Sequence, residues 1–419
     1  MAAANGNHWV MLVAGSMTWK NYRHQADVCH AYQIVHRNGI PDDQIVVMMY
    51  DDIAYNMKNP HPGTIINKPN GLNVYAGVPK DYTGEDVTPE NFLAALKGDR
   101  RAVKKRNPKV ITSGGNDTIF IYLADHGGSG IFTFPNSTLH AHDLIETIKE
   151  MARNNKFSKM VIYMESCHSG SMFTKLPNDL HVYAVTAARA DENSYACYFD
   201  FERKTFLSDE FSALWMYYME ANDLDNKTFR DQFSYLQEKM RMSHSWRFGD
   251  MKMGEHPISE FVNNTPRRVR DETRAQGFAL THLTSNHEVP FKILEHRIKT
   301  ETHAGRRQRL KRKHEALRQA KAKIEGTVEA ISQHFDFKHD DLDEDHCKMH
   351  LHALKSVAEH FRATCFDWDK EETFTHFHIA SSHMHVFACL CARGVEAERI
   401  IEVITEVSRK SRRKLQEGY

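Results

Sequence analysis

Through its first half the chain alternates segments that read as strand and as helix, and this alternation narrows the fold more than any other feature. HWVMLVAG (8–15) is a continuous apolar run of strand length, RHQADVCHAYQIVHRNG (23–39) has apolar residues at helical spacing and stops on Gly39, and DQIVVMMY (43–50) is strand again. TPENFLAALKG (88–98) opens on a Thr cap and closes on Gly98, DTIFIYLADHGG (117–128) is a strand running into a glycine turn, and HAHDLIETIKEMARNN (140–155) is a helix feeding the strand KMVIYMES (159–166). Strands this uniformly apolar are covered on both faces, so the order implies an α/β fold: a mostly parallel sheet flanked by helices. In such sheets the chemistry sits in loops beyond the carboxyl ends of the strands. ADHGG and ESCHSG both fall at that edge, so His126 and Cys167 are expected on neighbouring strand ends facing a common cleft.

With 419 residues the chain is long enough for two domains and for a core that needs no disulfide or metal staple. Lys plus Arg equals Asp plus Glu at 55 each, so overall charge gives no argument for nucleic acid or an anionic membrane as partner. No window approaches the roughly 18 apolar residues of a membrane span. The opening MAAANGNHWVMLVAGS has no basic n-region, so no signal peptide is expected within it. Cys347, Cys365, Cys389 and Cys391 crowd the last quarter, and an even set confined to one segment suggests two disulfides and an oxidising compartment; four reduced thiols is the alternative. The sequons at Asn116, Asn136, Asn226 and Asn263 are compatible with secretion.

Near Asn263 the character changes. NNTPRRVRDETRAQG reads as exposed connector, and Lys292 to Lys323 holds twelve basic and three acidic residues. No aromatic residues interleave with these charges for base stacking, so a solvated helical linker with sites for proteolysis is the better reading. Beyond Lys323 the pattern is helical, with acidic residues clustered at Asp340 to Asp345.

A cysteine nucleophile acts as thiolate and needs a base or cation beside it. His168 is adjacent to Cys167, but consecutive residues leaving a strand project differently, so His126 is the better base. Gly127, Gly128 and Gly130 beside it allow close substrate approach, and the Gly127 N–H is placed to hold an oxyanion. On these grounds alone a buried core cysteine is an equal alternative.

NYRHQADVCHAYQIVHRNGIPDDQIV, DHGGSG, ESCHSGSMF and SYACYFD, in that order, resemble the legumain family, the asparaginyl endopeptidases among caspase-like cysteine proteases. The likeness runs through most of residues 8–260 and more weakly through EVPFKIL and CFDW. It implies a caspase-like sheet of six strands over 1–265, a basic activation linker over 266–323 and an all-α inhibitory prodomain over 324–419. It implies Cys167 as nucleophile, His126 as base and Asn21 as the residue orienting His126. It also implies a pocket for the Asn side chain made by Arg23, His24, Glu165, Ser194 and Asp209, with cleavage after Asp in acid. Asp125 matches the residue that forms a succinimide linked to ligase activity in some members.

The resemblance further implies a zymogen with its own prodomain as inhibitor, peptide and protein substrates, cystatin-type inhibitors as partners, no metal or other cofactor, and an endolysosomal or secreted setting. Two departures stand out. The family's Glu-Ala-Cys-Glu-Ser-Gly is here Glu165-Ser-Cys167-His168-Ser-Gly170, and a protonated His168 would lower the pKa of Cys167. No Asn follows Asn286, so cleavage at Asn286, at an Asp in acid, or at Lys/Arg by another protease are all open. The tail carries His350/His352, His376/His378 and His383/His385, better read as packed or solvated groups that help release the cap in acid than as metal ligands. The competing readings are the catalytic subunit of a GPI-anchor transamidase and a catalytically silent caspase-like binding protein.

Overall fold

A computed structural model describes residues 6–263, 279–336, 350–366 and 373–417, with the side chains of 373–374 and 411–417 left aside. The connector at 264–278, the acidic cluster at 340–345 and Cys347 lie outside the described residues.

Six strands form the central sheet: β1 (His8–Ala14), β2 (Ile45–Met48), β3 (Thr118–Ala124), β7 (Lys159–Glu165), β8 (Val182–Thr186) and β11 (Trp246–Gly249), in the spatial order β11-β8-β7-β3-β1-β2. All neighbours are parallel except β11, which closes one edge antiparallel to β8. Side chains alternate across each strand, so the five parallel strands each feed two cores. Val10, Leu12, Phe120, Tyr122, Val161 and Tyr163 pack on one side beneath α1 (Tyr22–Arg37), α4 (Glu210–Ala221), α5 (Phe229–Lys239) and α6 (Ser259–Val262). Met11, Val13, Ile119, Ile121, Met160 and Ile162 pack on the other beneath α2 (Pro89–Lys97) and α3 (Ala141–Arg153). Burial on both faces is why the strands read as unbroken apolar runs. The α2 punctuation is as its sequence implies: Thr88 Oγ accepts from the Asn91 N–H at 3.1 Å, Pro89 opens the helix, and Gly98 ends it at φ +79°.

Two smaller sheets stand at the carboxyl edge. One orders β10 (Thr205–Asp209), β9 (Tyr195–Asp200) and β12 (Thr284–Ser285); the other orders β4 (Gly127–Gly128), β5 (Ile131–Thr133) and β6 (Thr138–His140).

The remaining helices, α7 (Val289–Thr300), α8 (Ala304–Gln333), α9 (Leu351–Cys365), α10 (Thr373–Ser381), α11 (Met384–Ala392) and α12 (Ala397–Glu417), make a cap over that edge. Its core gathers Val357, Phe361, Phe387, Ile400 and Ile404, and Ile131 of β5 joins the same cluster. Phe291, Leu294, Leu310 and Leu317 of α7 and α8 pack with Ile379 of α10. The basic segment therefore belongs to the helical body, and the boundary expected at 323/324 falls inside the unbroken helix α8. Lys355 Nζ to Asp143 Oδ1 at 2.9 Å, and Arg362 donating to the Asn136 carbonyl, tie α9 to the catalytic body. One expectation needs correcting: Cys391 keeps a buried thiol, so the four tail cysteines do not form two disulfides. Cys389 and Cys391 lie two residues apart on α11, where neighbours at that spacing point to different sides.

Candidate active site

The register of β3 against β7 sets the site. Ala124 pairs with Glu165 and the Asp125 N–H donates to the Glu165 carbonyl at 3.0 Å, so both chains leave the sheet level with one another. His126 follows on one strand and Cys167 on the next. The loops touch at Gly127, where a Cβ would come within 2.6 Å of the Cys167 carbonyl oxygen and 2.7 Å of Ser166 Oγ. Only glycine lets these two backbones approach so closely.

Asn21 ends a short 3-10 turn (Trp19–Asn21) before α1. Its Nδ2 donates to the Met17 carbonyl at 2.9 Å, which turns Oδ1 toward His126 Nε2 at 2.8 Å. An amide oxygen only accepts, so Nε2 carries the proton and Nδ1 is the basic nitrogen. That Nδ1 has no hydrogen-bond partner among the described residues. Among the described residues the hydrogen-bonding contacts of Cys167 Sγ are with Ser194: its N–H at 3.3 Å, its hydroxyl at 3.6 Å and its carbonyl at 4.0 Å.

Beneath this pair lies a buried charged cluster. Arg23 Nε donates to Asp209 Oδ1 at 2.9 Å with both side chains inaccessible. Glu165 Oε2 accepts from the Ser212 N–H at 3.1 Å and from its hydroxyl at 2.8 Å. His24 Nδ1 lies 2.7 Å from Ser16 Oγ and 3.2 Å from Asp125 Oδ1, and its Nε2 lies 3.7 Å from Asp209 Oδ2. Arg23 Nη2, Glu165 Oε1 and Asp209 Oδ2 are left without hydrogen-bond partners among the described residues. Unpaired polar atoms in a buried place are costly and mark where a ligand's own polar groups would go. Asp125 Oδ2 accepts from Thr133 Oγ1 at 2.6 Å. His24, Asp125 and His126 also place three ligand atoms within 4.8 Å of one another, the one such group among the described residues. Ser16, Thr133 and Asn21 already engage these side chains, which argues for a proton network rather than a cation site.

The cap covers the site. His378 of α10 stacks on His126, the Ser381 hydroxyl donates to the Gly127 carbonyl at 3.2 Å, and a Cβ on Gly128 would meet the Ser381 carbonyl oxygen at 2.1 Å. Enclosure moves every protonation equilibrium toward the neutral form. Burial pushes the Cys167 thiol up to about 12 and holds His126 well below its ordinary value, with His378, His24 and Arg23 adding to the effect. Burial also raises Glu165 well above the carboxylate range and Asp125 to about 8.

His168 differs from expectation. It takes a left-handed conformation at φ +53°, its Nδ1 lies 3.0 Å from the Ala190 carbonyl, and burial lowers its pKa to about 4. In the capped chain it is neutral near neutral pH, so it supplies no cation to the Cys167 thiolate. Asp27 and Ser212 belong to the site but were not singled out in the sequence. Asp27 lies four residues after Arg23 on α1, and a charged residue on a buried helical face was the available signal. Asp27 Oδ1 accepts from Ser208 Oγ at 2.6 Å and from Asn67 Nδ2 at 2.7 Å.

Residues 8–277 match the model of the Peptidase C13 family. The chain belongs to that family. Over 400 residues it is 43% identical to legumain of Rattus norvegicus, spanning 94% of this chain and 91% of the relative, and it is 42% identical over the same span to legumain of Homo sapiens. A hemoglobinase of Schistosoma japonicum is 36% identical over 406 residues, 95% of this chain and 92% of that one. Caspase-1 of Spodoptera frugiperda superposes with a TM-score of 0.34 at 7% identity over 59% of this chain and 91% of that one, too loose a likeness to add to the strand order itself. The C13 chain is thus a legumain-like cysteine endopeptidase acting on peptide substrates. No helix among its described residues is long and apolar enough to cross a membrane.

Proposed function

We propose that this endopeptidase cleaves after Asn, and after Asp in acid, and that it is made as a zymogen latent under its own cap. The observation that carries the reading is the mixed set of open atoms in the buried cluster: a donor, Arg23 Nη2, beside carboxyl oxygens of Glu165 and Asp209. A carboxamide presents one acceptor oxygen and a donor NH2, which answers both. An ionised Asp would turn a carboxylate toward two carboxyl groups, whereas a protonated one offers an O–H in the place of the NH2.

In this reading Cys167 attacks the scissile carbonyl and the Gly127 N–H steadies the oxyanion. His126 Nδ1 takes the thiol proton and passes it to the leaving amine, while Asn21 holds the ring in the tautomer that leaves Nδ1 basic. Arg23, His24, Glu165, Ser194 and Asp209 hold the Asn side chain. The capped chain is latent because burial keeps the thiol protonated and because His378 occupies the face of His126. Acid charges the cap histidines and loosens their docking, which fits an endolysosomal or secreted setting. Asp125 adds a ligase reading: its protonated carboxyl is the form that loses water when the His126 backbone nitrogen closes a succinimide.

The test is hydrolysis of matched Ala-Ala-Asn and Ala-Ala-Gln reporters after acid treatment at about pH 4.5, with Cys167→Ala as control. Asn-selective hydrolysis absent from the control supports the reading. Equal rates on the two peptides would overturn the pocket assignment.

A further inference from the structure

Four histidines from three segments of the chain gather where the cap meets the loop that carries Cys167. β12 lies antiparallel along β9, Thr284 opposite Ala196 and Ser285 opposite Tyr195, and the Asn286 N–H donates to the Ser194 carbonyl at 3.1 Å. This pairing lays 284–286 along the cleft and brings His287 within electrostatic reach of His168, the residue after the nucleophile. The cap supplies His383 and His385. The His385 and His168 rings are nearly parallel, 13° apart, with centroids separated by 6.5 Å, and the His383 and His385 centroids are also 6.5 Å apart. His383 stands near enough to His287 to repel a charge on it. His383 caps α11 and His385 lies inside its first turn, so helical spacing does not send these two rings to different faces.

The hydrogen bonds of these rings set them apart from packed core histidines. His287 is 9% exposed, and although the His378 backbone is near, neither of its ring nitrogens has a hydrogen-bond partner among the described residues. Buried polar atoms left open in this way mark a place for a ligand. His168 Nδ1 lies 3.0 Å from the Ala190 carbonyl and His385 Nδ1 lies 2.9 Å from the Ser382 carbonyl. A carbonyl only accepts, so in each neutral ring the proton is on Nδ1 and Nε2 keeps its lone pair. A ring N–H held by a backbone carbonyl is the outer-shell arrangement of metal-bound histidine. Burial favours the neutral ring at His168 and His287, and neutral imidazole is the form that binds a metal. Asp191 and Glu192 near His168 add negative charge that favours a cation.

We propose that His168, His287, His383 and His385 form a site for zinc or a similar divalent ion that prefers imidazole, and that the bound ion pins the cap to the loop carrying the nucleophile. Imidazoles sharing one tetrahedral zinc, each bound at about 2.0–2.1 Å, have ring centres roughly 5 Å apart, so the cluster stands about 1 Å open and closes on the ion. It is looser than the group formed by His24, Asp125 and His126, but it alone joins the body to the cap. His383 and His385 are half-buried and leave the ion a route from solvent. The site stands independently of the Asn-selective reading.

The experiment titrates Zn²⁺ alone into the chelator-treated full chain near neutral pH by calorimetry, with Cys167→Ala in place so that the nucleophile's thiol cannot bind it. The expected result is one ion per chain. Affinity should fall by roughly a hundredfold or more in His287→Gln and in His385→Gln, since even outer-shell partners of a metal are worth about 10- to 100-fold. His352→Gln, at an exposed tail histidine, should bind as the parent does. Thermal midpoints in chelator check the fold of each variant, and half-buried His385 carries the test if the buried position 287 does not tolerate Gln. An added protease then cuts the linker and the departure of the tail is timed. Zn²⁺ should slow it by about tenfold or more in the parent and leave it unchanged in His385→Gln. No binding, or binding that survives in His287→Gln and His385→Gln and is lost from His126→Gln or His352→Gln, overturns the site. Tight binding with an unaltered rate of departure overturns the pinning of the cap.

Discussion

His378 lies face to face with His126, ring centroids 3.9 Å apart and planes inclined by 27°. A side chain of the cap thereby covers one face of the His126 ring. Around His378 stand Lys20 and Arg23 from the turn and helix that carry Asn21, His24 from the same helix, His126 from the loop after β3, and His287 ahead of α7. Docking lowers the His378 pKa to about 3, chiefly by burial and then by Arg23 and Lys20.

The sign of the pH effect follows. A histidine whose docked pKa is depressed favours docking above its free value near 6.5 and opposes it as pH falls toward the docked value; at pH 5 the loss is about 2 kcal/mol for one such group. His378→Gln keeps the bulk and cannot charge. We expect cap release to move to lower pH, followed by activity after stepwise acidification; an unchanged release profile would remove His378 from the switch.

Gly128→Ala acts on the same contact by shape. The added methyl would meet the Ser381 carbonyl oxygen at 2.1 Å, which backbone cannot accommodate without moving. The cap should lift at higher pH than in the wild type, read as earlier acid-dependent dissociation of the tail after linker cleavage. A tail that dissociates at the wild-type pH would show that Ser381 does not hold the cap.

The pocket makes a selectivity prediction. Asp209→Asn removes the carboxylate paired to Arg23 and one of the open carboxyl oxygens. Charge-assisted hydrogen bonds contribute about 1.5–3 kcal/mol, so kcat/KM on an Asn peptide should fall by roughly 10- to 150-fold. The fall should be smaller on an Asp peptide at pH 6, because one repelling carboxylate is gone. Parallel losses on both peptides would place Asp209 in the framework only.

His126→Ala should lower kcat by roughly 10²- to 10⁴-fold, the usual range for a general base. Asn21→Ala should cost less, with KM little changed and the pH–rate profile shifted, because the ring loses the partner that selects its tautomer. A profile that keeps its midpoint would mean that Asn21 only shapes the turn.

Asp125 makes one contribution to the stability of the catalytic body that favours acid, opposed by the buried His24, His126 and His168, which favour their neutral forms. Asp125 has a folded pKa raised from near 4 to about 8, so its contribution is complete below pH 4 and is lost as pH rises through about 8. Between pH 4 and pH 7 the change is on the order of 3–4 kcal/mol. Across that interval the thermal midpoint of Asp125→Asn, made in the Cys167→Ala chain, should rise relative to that of Cys167→Ala alone. A constant difference between the two chains would contradict the raised value.

The sheet and the placing of His126 and Cys167 at its carboxyl edge were legible because periodicity and capping are local. Apolar runs with Gly at their ends placed His126 and Cys167 at strand termini before any tertiary fact was known. The basic run of α8 read correctly as helix, but its division from the tail at 323 did not, because Leu310, Leu317 and Ile379 share one cluster that only the folded chain brings together. His168 was misjudged for a related reason: burial and a left-handed backbone decide its charge, and neither shows in the string of letters. The seat of His378 on His126 depends on docking two bodies, and no local pattern announces it.

β12 has a further consequence for the uncut chain. A tethered segment competes for the cleft at an effective concentration on the order of millimolar, whatever the protein's own concentration. A diffusing reversible inhibitor of micromolar affinity would have to outbid a neighbour that never leaves. While β12 holds its place, an inhibitor competing for the same cleft binds this chain weakly, and it binds well once the segment leaves.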